Sequence, residues 1–274
     1  MAGGRALAKA KTGTTRIGVG GWTYEPWRGT FYPKGHPQKQ ELHYASRQLT
    51  SIEVNGTFYG AQKPESFAKW HDDAPEDFVF SLKAPRYATN RKVLAEAGAS
   101  IERFLTGGLT ELKQKLGPIN WQFATTKIFD PVDFEAFLKL LPAEVDGHAL
   151  RHVVEVRHQS FQVPEFIALA RAYKVAIVLA ADSQHPLIPD ATAPFVYARL
   201  MGTQEGEALG YPDEALDQWV DRARIWASGS TPDDLAPISA DRPAKGARDV
   251  YLYVISGNKV ANPAAAMSLI GRMA

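Results

Sequence analysis

The 274-residue sequence contains no cysteine. Disulfides, thiolate nucleophiles and cysteine-based metal sites are therefore excluded, and the composition fits a reducing compartment, which we expect to be the cytoplasm. The sequence also has no apolar run near the roughly 20 residues that a membrane-spanning helix needs. Neither sign of charge is in excess, because 31 Lys and Arg are balanced by 30 Asp and Glu. A net charge of +1 predicts no general attraction to nucleic acid or to a membrane surface.

The chain begins with a basic segment rich in small residues, MAGGRALAKAKTGTTR. It lacks the apolar centre of a secretory signal. We interpret residues 1–15 as a flexible N-terminal arm and residues 16–274 as one domain. With 45% hydrophobic residues, this domain is long enough to bury a large core.

Strand-like apolar runs alternate with helix-like segments along the domain. The runs are 16–21, 51–54, 78–83, 119–123, 152–157, 175–180, 195–200 and 249–255. Eight short strands joined by helices predict a TIM-type (β/α)8 barrel. Between them, residues 100–117 have a helical pattern. Residues 182–194 are too few and too proline-rich for a good helix, so we predict a weak or missing helix between strands 6 and 7. Residues 228–248, rich in Pro, Gly and Asp, are predicted to be a surface insertion before strand 8.

Polar side chains share one face of several predicted strands and lie near their carboxyl ends. Side chains alternate across a strand, so the apolar face is expected to meet the helices and the polar face the barrel interior. The six charged residues in such positions are Glu53, Lys83, Glu155, Arg157, Asp182 and Arg199. Barrel enzymes carry their catalytic groups at this end, so the cluster predicts a site at the mouth. The alternative is that three acids and three bases pair with one another as a structural network.

Several segments together resemble the conserved blocks of the domain of unknown function 72, or YecE-like, family. They are IGVGGWTYEPWRGTFYP (17–33), IEVNGTFYGAQKPESFAKW (52–70), FVFSLKAPRYAT (78–89), VVEVRHQSF (153–161), ADS (181–183) and VYARLMG (196–202). The resemblance runs from about residue 16 to the C-terminus. It implies a TIM-type barrel and no established reaction.

The resemblance also places family motifs on particular residues. Its positions fall on Glu53, Asn55, Lys83, Glu155, Arg157, His158, Asp182 and Arg199. Two histidines expected from the family are Asn90 and Met201 here. These departures put general-acid or metal roles at those two positions in doubt.

Further candidates come from the loops that follow the strands. Trp22 and Tyr59 belong to an aromatic-rich set suited to stacking on a sugar or a base, or to capping the barrel. Asn258 lies in SGNKVANP (256–263), a loop that opens a helix at a place where barrels often bind phosphate. We therefore predict ligand-binding roles for Trp22, Asn55, Tyr59 and Asn258, and also for Arg157, His158 and Arg199.

These residues predict an enzyme that uses acid–base chemistry on a small anionic or sugar-like substrate, as a hydrolase, lyase or isomerase. In this hypothesis Glu155 or Glu53 is the general base and Asp182 its partner. Lys83 is the proton donor or an electrophile, and Arg157 and Arg199 clamp an anion. No cofactor and no metal motif is predicted. One alternative is a metal-dependent hydrolase or isomerase that uses Glu53, Glu155, His158 and Asp182. Another is a non-catalytic small-molecule-binding barrel.

Overall fold

The computed structural model of the chain describes residues 12–241 and 243–274. Eight parallel strands close into a barrel in the order β1-β8-β7-β6-β5-β4-β3-β2. They are β1 (Thr15–Gly20), β2 (Ser51–Val54), β3 (Val79–Lys83), β4 (Leu116–Gln122), β5 (His152–Glu155), β6 (Ala176–Ala181), β7 (Phe195–Leu200) and β8 (Asp249–Val254). The predicted TIM-type barrel is confirmed.

Helices surround the barrel. They are α1 (Glu41–Gln48), α2 (Gly56–Tyr59), α3 (Pro64–Asp73), α4 (Arg86–Thr89), α5 (Gly98–Leu105), α6 (Pro131–Lys139), α7 (Pro164–Ala172), α8 (Asp213–Ala227) and α9 (Asn262–Met273). Proline occupies the first turn of α3, α6, α7 and α9, where its missing N–H removes no helical hydrogen bond. Within the described ranges, every helix is too short or too polar to cross a bilayer.

Two separate buried clusters follow from the alternation of side chains along the strands. The larger cluster joins the outward-facing side chains of the strands, such as Phe80 and Leu82 of β3, to the helices. The smaller cluster fills the barrel interior and includes Val153, Tyr197 and Tyr253. The predicted division of the strands into a helix-facing and an interior face is thus confirmed.

The connection from β6 to β7 contains no helix over residues 182–194, as the sequence predicts. The prediction of a single helix over residues 100–117 is wrong. The chain instead forms α5 and turns at Gly108 with a φ of 96°. It continues over Leu109–Lys115 as two short 3₁₀ turns separated by a kink at Lys113, whose φ is 50°. Glycine permits the left-handed turn at Gly108, which a longer side chain would strain.

Two further segments complete the fold. A short antiparallel hairpin, Glu144–Val145 with His148–Ala149, precedes β5 and has no counterpart among the predicted strands. Most of the predicted N-terminal arm, residues 1–11, lies outside the described residues. Residues 13 and 14 are bonded to the domain, since Gly13 N–H donates to Ala227 O at the end of α8 and Val250 N–H of β8 donates to Thr14 O.

Candidate functional site at the barrel mouth

Two carboxylates are fully buried inside the barrel near the carboxyl ends of their strands. Glu53 lies on β2 and Glu155 on β5, and both side chains have 0% exposure. Their strands are separated by β3 and β4, so the two acids face each other across the interior. A buried carboxylate is costly unless charged or polar partners satisfy it, so its neighbours determine what it can do.

Arg199 of β7 bridges the two carboxylates. Its Nη1 donates to Glu155 Oε2 at 2.7 Å and its Nη2 donates to Glu53 Oε1 at 3.1 Å. Tyr197 OH donates to Glu53 Oε2 at 2.6 Å. Asn120 Nδ2 of β4 donates to Glu155 Oε2 at 3.1 Å. One guanidinium therefore ties together strands from opposite sides of the barrel.

Arg157 closes this network from the side of the mouth. Its Nε and Nη2 donate to Glu155 Oε1 at 2.8 and 2.5 Å, and Nη2 also donates to Gln122 Oε1 at 2.8 Å. All four carboxylate oxygens of Glu53 and Glu155 thus have donors. Of the six charged residues, Glu53, Glu155, Arg157 and Arg199 pair with one another as the structural alternative expects, whereas Lys83 and Asp182 are not part of this network.

The electrostatics of Glu155 follow from these contacts. Burial alone raises the pKa of this carboxyl, but the positive charges of Arg199, Arg157 and Lys83 outweigh burial and lower its pKa to about 2. Burial likewise lowers the pKa of Arg199, and the charges of Glu155 and Glu53 reverse that effect and raise it above its ordinary value. Glu155 is therefore a weak base, held ionised by the arginines.

Lys83 ends β3 and has a different environment. Its side chain is 7% exposed, and Nζ lies 4.5 Å from the centre of the Phe58 ring. Within the described ranges, Nζ makes no hydrogen bond or ion pair. Burial and the nearby charge of Arg199 lower the pKa of this amine to about 8, although Glu53 and Glu155 act in the opposite direction. The amine can therefore exchange a proton near neutral pH.

A cavity of about 640 Å³ opens above this network at the carboxyl ends of the strands. Four cationic side chains line it: Lys83, Arg157, Arg199 and Lys259. None of the described residues that line it carries a carboxylate, because Glu53 and Glu155 are covered by their arginine partners. The cavity therefore presents positive charge to any ligand that enters it.

Four aromatic side chains, Trp22, Phe58, Tyr59 and Trp70, form part of the remaining wall of the cavity. Trp22 packs edge-to-face on Trp70 with ring centres 5.2 Å apart. Phe58 lies beside Lys83, and Tyr59, 71% exposed, stands at the rim. Asn55 follows β2 and adds an amide to the lining. The structure thus brings six sequence-predicted site residues to one cavity, namely Trp22, Asn55, Tyr59, Lys83, Arg157 and Arg199.

Three predicted site residues lie elsewhere. The exposed Asp182 has a φ of 54° and accepts a hydrogen bond from Tyr211 OH at 3.1 Å. His158 Nδ1 accepts from the backbone N–H of Ser160 at 3.2 Å and so caps the short 3₁₀ helix Gln159–Phe161. Neither side chain is part of the cavity lining.

Asn258 lies in a separate surface groove, and its backbone N–H donates to Thr203 O at 2.8 Å. This amide is therefore occupied and does not point to a bound phosphate. The same loop instead contributes Ser256 and Lys259 to the cavity.

Sequence reasoning missed Asn120 and Lys259. Asn120 and Gln122 lie two residues apart on β4 and therefore share a face, so the alternation of side chains could have predicted that Asn120 faces the interior. Lys259 follows β8 by several residues, and no periodicity marks the direction of a loop side chain. Its place is set by the fold of the loop, in which Trp27 Nε1 donates to Lys259 O at 2.7 Å.

Comparison with known proteins identifies relatives of the whole barrel. The family model described as "Protein of unknown function DUF72" matches residues 16–274. The UPF0759 protein YecE of Escherichia coli K12 is 30% identical over 148 residues, which are 53% of this chain and 49% of that protein. YecE of Escherichia coli O157:H7 matches to the same extent. The chain thus aligns with about half the length of the curated relatives that it matches.

Solved structures show the same fold. A DUF72 family protein from Thermotoga maritima MSB8 aligns with a TM-score of 0.70 at 20% identity, covering 94% of this chain and 98% of that chain. A DUF72 family protein from Enterococcus faecalis V583 aligns with a TM-score of 0.66 at 17% identity, covering 95% and 94%. The family model covers nearly the entire chain and the structural relatives share its barrel, so this chain belongs to the DUF72 family of proteins of unknown function.

Proposed function

We propose that this barrel is an enzyme that binds a small substrate carrying a phosphate or carboxylate group in the mouth cavity and acts on it by acid–base chemistry. The observation that carries the proposal is the lining of the cavity, which contains four cationic side chains and no carboxylate among the described residues. In a cleft with low-dielectric walls, charges of one sign attract an anion more strongly than they do on an open surface.

The arginines serve as the anion clamp. Arg157 and Arg199 are fixed by Glu155 and Glu53, so little side-chain entropy is lost when an anion binds. A guanidinium donates along two edges, and only part of each is taken up by a carboxylate. In particular, Arg157 makes its hydrogen bonds through Nε and Nη2, and its Nη1 has no partner among the described residues. The aromatic wall of Trp22 and Trp70 suits the flat face of a sugar or a planar ligand.

The roles of the acids differ in this proposal from those suggested by the sequence. Glu53 and Glu155 are buried behind the arginines, and the pKa of Glu155 is about 2. Both are therefore assigned to positioning the cations, and Lys83 becomes the group that transfers the proton. Asp182 has no part in the mechanism proposed here, since it lies outside the cavity.

A non-catalytic binding barrel is the second candidate, favoured by the complete hydrogen bonding of both glutamates. The metal-dependent alternative has less support, because the described residues contain no group of three or more His, Cys, Asp or Glu side chains arranged to hold a metal ion.

Thermal unfolding with sodium phosphate against sodium chloride at equal ionic strength tests the anion site. Phosphate at about tenfold its Kd should raise Tm by about 3 °C. Lys259→Gln removes one cation of the lining and should weaken phosphate binding roughly two- to fivefold, as expected from about 0.5–1 kcal/mol. Lys39→Gln, at an exposed position outside the cavity, is the matched control and should bind like the wild type.

Two results of these measurements would contradict the proposal. If neither phosphate nor citrate raises Tm above the chloride reference, the cavity does not select anions. Equal phosphate affinity in Lys259→Gln and Lys39→Gln would place the anion elsewhere on the surface.

A further inference from the structure

Lys83 stands out among the buried cations because its amine has no acceptor. Lys115 provides the comparison within this chain, since its buried Nζ donates to His71 O at 2.6 Å and to Ala74 O at 2.8 Å. Arg199 is bonded to two carboxylates. By contrast, Lys83 Nζ faces the Phe58 ring and the cavity, and no described residue within reach accepts from it. A lysine that only balances charge or caps carbonyls does not need this environment.

The same environment favours the neutral, nucleophilic form of the amine. Burial beside Arg199 lowers the pKa of Lys83 to about 8. At about pH 7.5 roughly a quarter of such amines are unprotonated, against about one in a thousand for an ordinary lysine. Desolvated lysines next to a second cation are the ones that enzymes use for covalent catalysis on carbonyl groups.

We propose that Lys83 is a nucleophile that forms an imine with a carbonyl substrate whose phosphate or carboxylate group is held by Arg157 and Arg199. This inference rests on the proposed function, narrows its substrate class to anionic aldehydes and ketones, and replaces the proton-transfer role of Lys83 with a nucleophilic one. The three residues line one cavity, and Lys83 lies at the strand end next to the arginine-bearing network.

The covalent step balances without a cofactor. The Nζ lone pair attacks the carbonyl carbon and a C–N bond forms. The carbonyl oxygen takes both amine protons and leaves as water. A proton from solvent then gives the iminium, which withdraws electrons from the neighbouring carbon. Cleavage or proton transfer at that carbon is the class of reaction that follows.

Reductive trapping tests the inference on the full chain. Wild-type protein is incubated with pyruvate or with dihydroxyacetone phosphate and treated with sodium borohydride, which converts an imine to a stable secondary amine. The expected product is heavier by the mass of one probe molecule less one oxygen atom. Peptide mapping should place the adduct on Lys83, at least tenfold above any other lysine. Acetone has a carbonyl but no anionic group and should label Lys83 at least tenfold less.

Two variants keep the test independent of folding. Lys83→Arg retains the positive charge but cannot form an imine, so it should lose the adduct, and a cooperative thermal transition checks that the variant folds. Lys39→Gln should be labelled at Lys83 like the wild type. Inorganic phosphate should compete with both anionic probes.

The outcomes separate the two proposals. If phosphate stabilises the protein but neither probe is trapped, or the label is spread evenly over exposed lysines, the imine inference is overturned and the anion site stands. If acetone and pyruvate label Lys83 equally and phosphate has no effect, the lysine is a nucleophile but the anion site is wrong.

Discussion

Glu155 has one carboxylate oxygen bonded to Arg157 and the other to Arg199, and none of its surface reaches solvent. Glu155→Gln keeps the shape of the side chain but leaves the buried Arg199 with Glu53 as its one carboxylate partner and the half-buried Arg157 with the Gln122 amide oxygen alone. Breaking a buried ion pair on one side costs more than the pair contributes, because an uncompensated charge remains. We expect the free energy of unfolding to fall by about 3 kcal/mol. Urea denaturation at neutral pH measures this loss.

Glu135→Gln is the matched control for this change. Glu135 lies on α6, partly exposed, and bonds to Lys139 and Tyr173. Solvent screens such pairs, so the substitution should leave the urea midpoint almost unchanged. Equal losses in the two variants would contradict a structural role for the interior network.

The hydrogen bonds of the buried His152 require its imidazole ring to be neutral. Trp121 Nε1 donates to Nδ1 at 3.1 Å, and Nε2 lies 2.8 Å from Pro142 O, which only accepts. A second proton on Nδ1 would oppose the tryptophan donor. Burial lowers the pKa of His152 from 6.5 to about 4, against the opposing effect of the Pro142 carbonyl.

Between these two pKa values the unfolded chain binds a proton that the folded protein does not. His152 therefore costs no stability above about pH 6.5 and destabilises the fold progressively as the pH falls toward 4, by up to about 3 kcal/mol. His152→Gln can accept from Trp121 and donate to Pro142 but does not titrate. Urea midpoints at about pH 7 and about pH 4.5 should differ less in this variant than in the wild type. The same pH dependence in both would show that other groups control acid stability.

For the strands, the alternation of side chains along the sequence predicted most of the residues that face the barrel interior. It placed Glu53, Lys83, Glu155, Arg157 and Arg199 on the interior face, since period-two patterning is a local property. It did not predict that Arg199 bridges the two glutamates, because that contact depends on register between strands far apart in sequence. Loop residues were the least predictable, since nothing periodic fixes their direction.

Gly18 shows how strand register constrains a single position in β1. It pairs with Ser51 of β2, and a Cβ atom at residue 18 would lie 1.8 Å from Ser51 O. Backbone cannot yield as a flexible side chain does, so Gly18→Ala must separate β1 from β2 and cost about 1–3 kcal/mol or more. Gly271→Ala on α9 meets nothing within 4 Å and should stabilise the helix by up to about 1 kcal/mol. Thermal unfolding of both variants measures the two effects, and a Gly18→Ala protein as stable as the wild type would refute the close approach.

For the molecule as a whole, the connection from β6 to β7 leaves a gap in the ring of helices. Ile188 and Ala191 of this connection are buried in the helix-facing core. Leu235, from the long loop 228–248, joins the same core. Arg171 of α7 donates to Ser239 Oγ at 3.2 Å, and Arg222 of α8 pairs with Asp234 at 2.7 Å. The loop therefore lies over the helix-free connection, between α7 and α8. It covers part of the barrel surface that a helix covers elsewhere in the ring.

Asp190 is the anchor of this loop. Its buried carboxylate accepts from the backbone N–H of Ile238 at 2.8 Å and of Ser239 at 3.0 Å. Asp190→Ala leaves two amides without their acceptor, so the free energy of unfolding should fall by about 2–3 kcal/mol and hydrogen exchange at residues 238 and 239 should accelerate. Asp233→Ala, at an exposed position in the same loop, should change neither quantity. Unaltered exchange at both amides in Asp190→Ala would mean that the loop is held by its apolar contacts, and that the carboxylate is not its anchor.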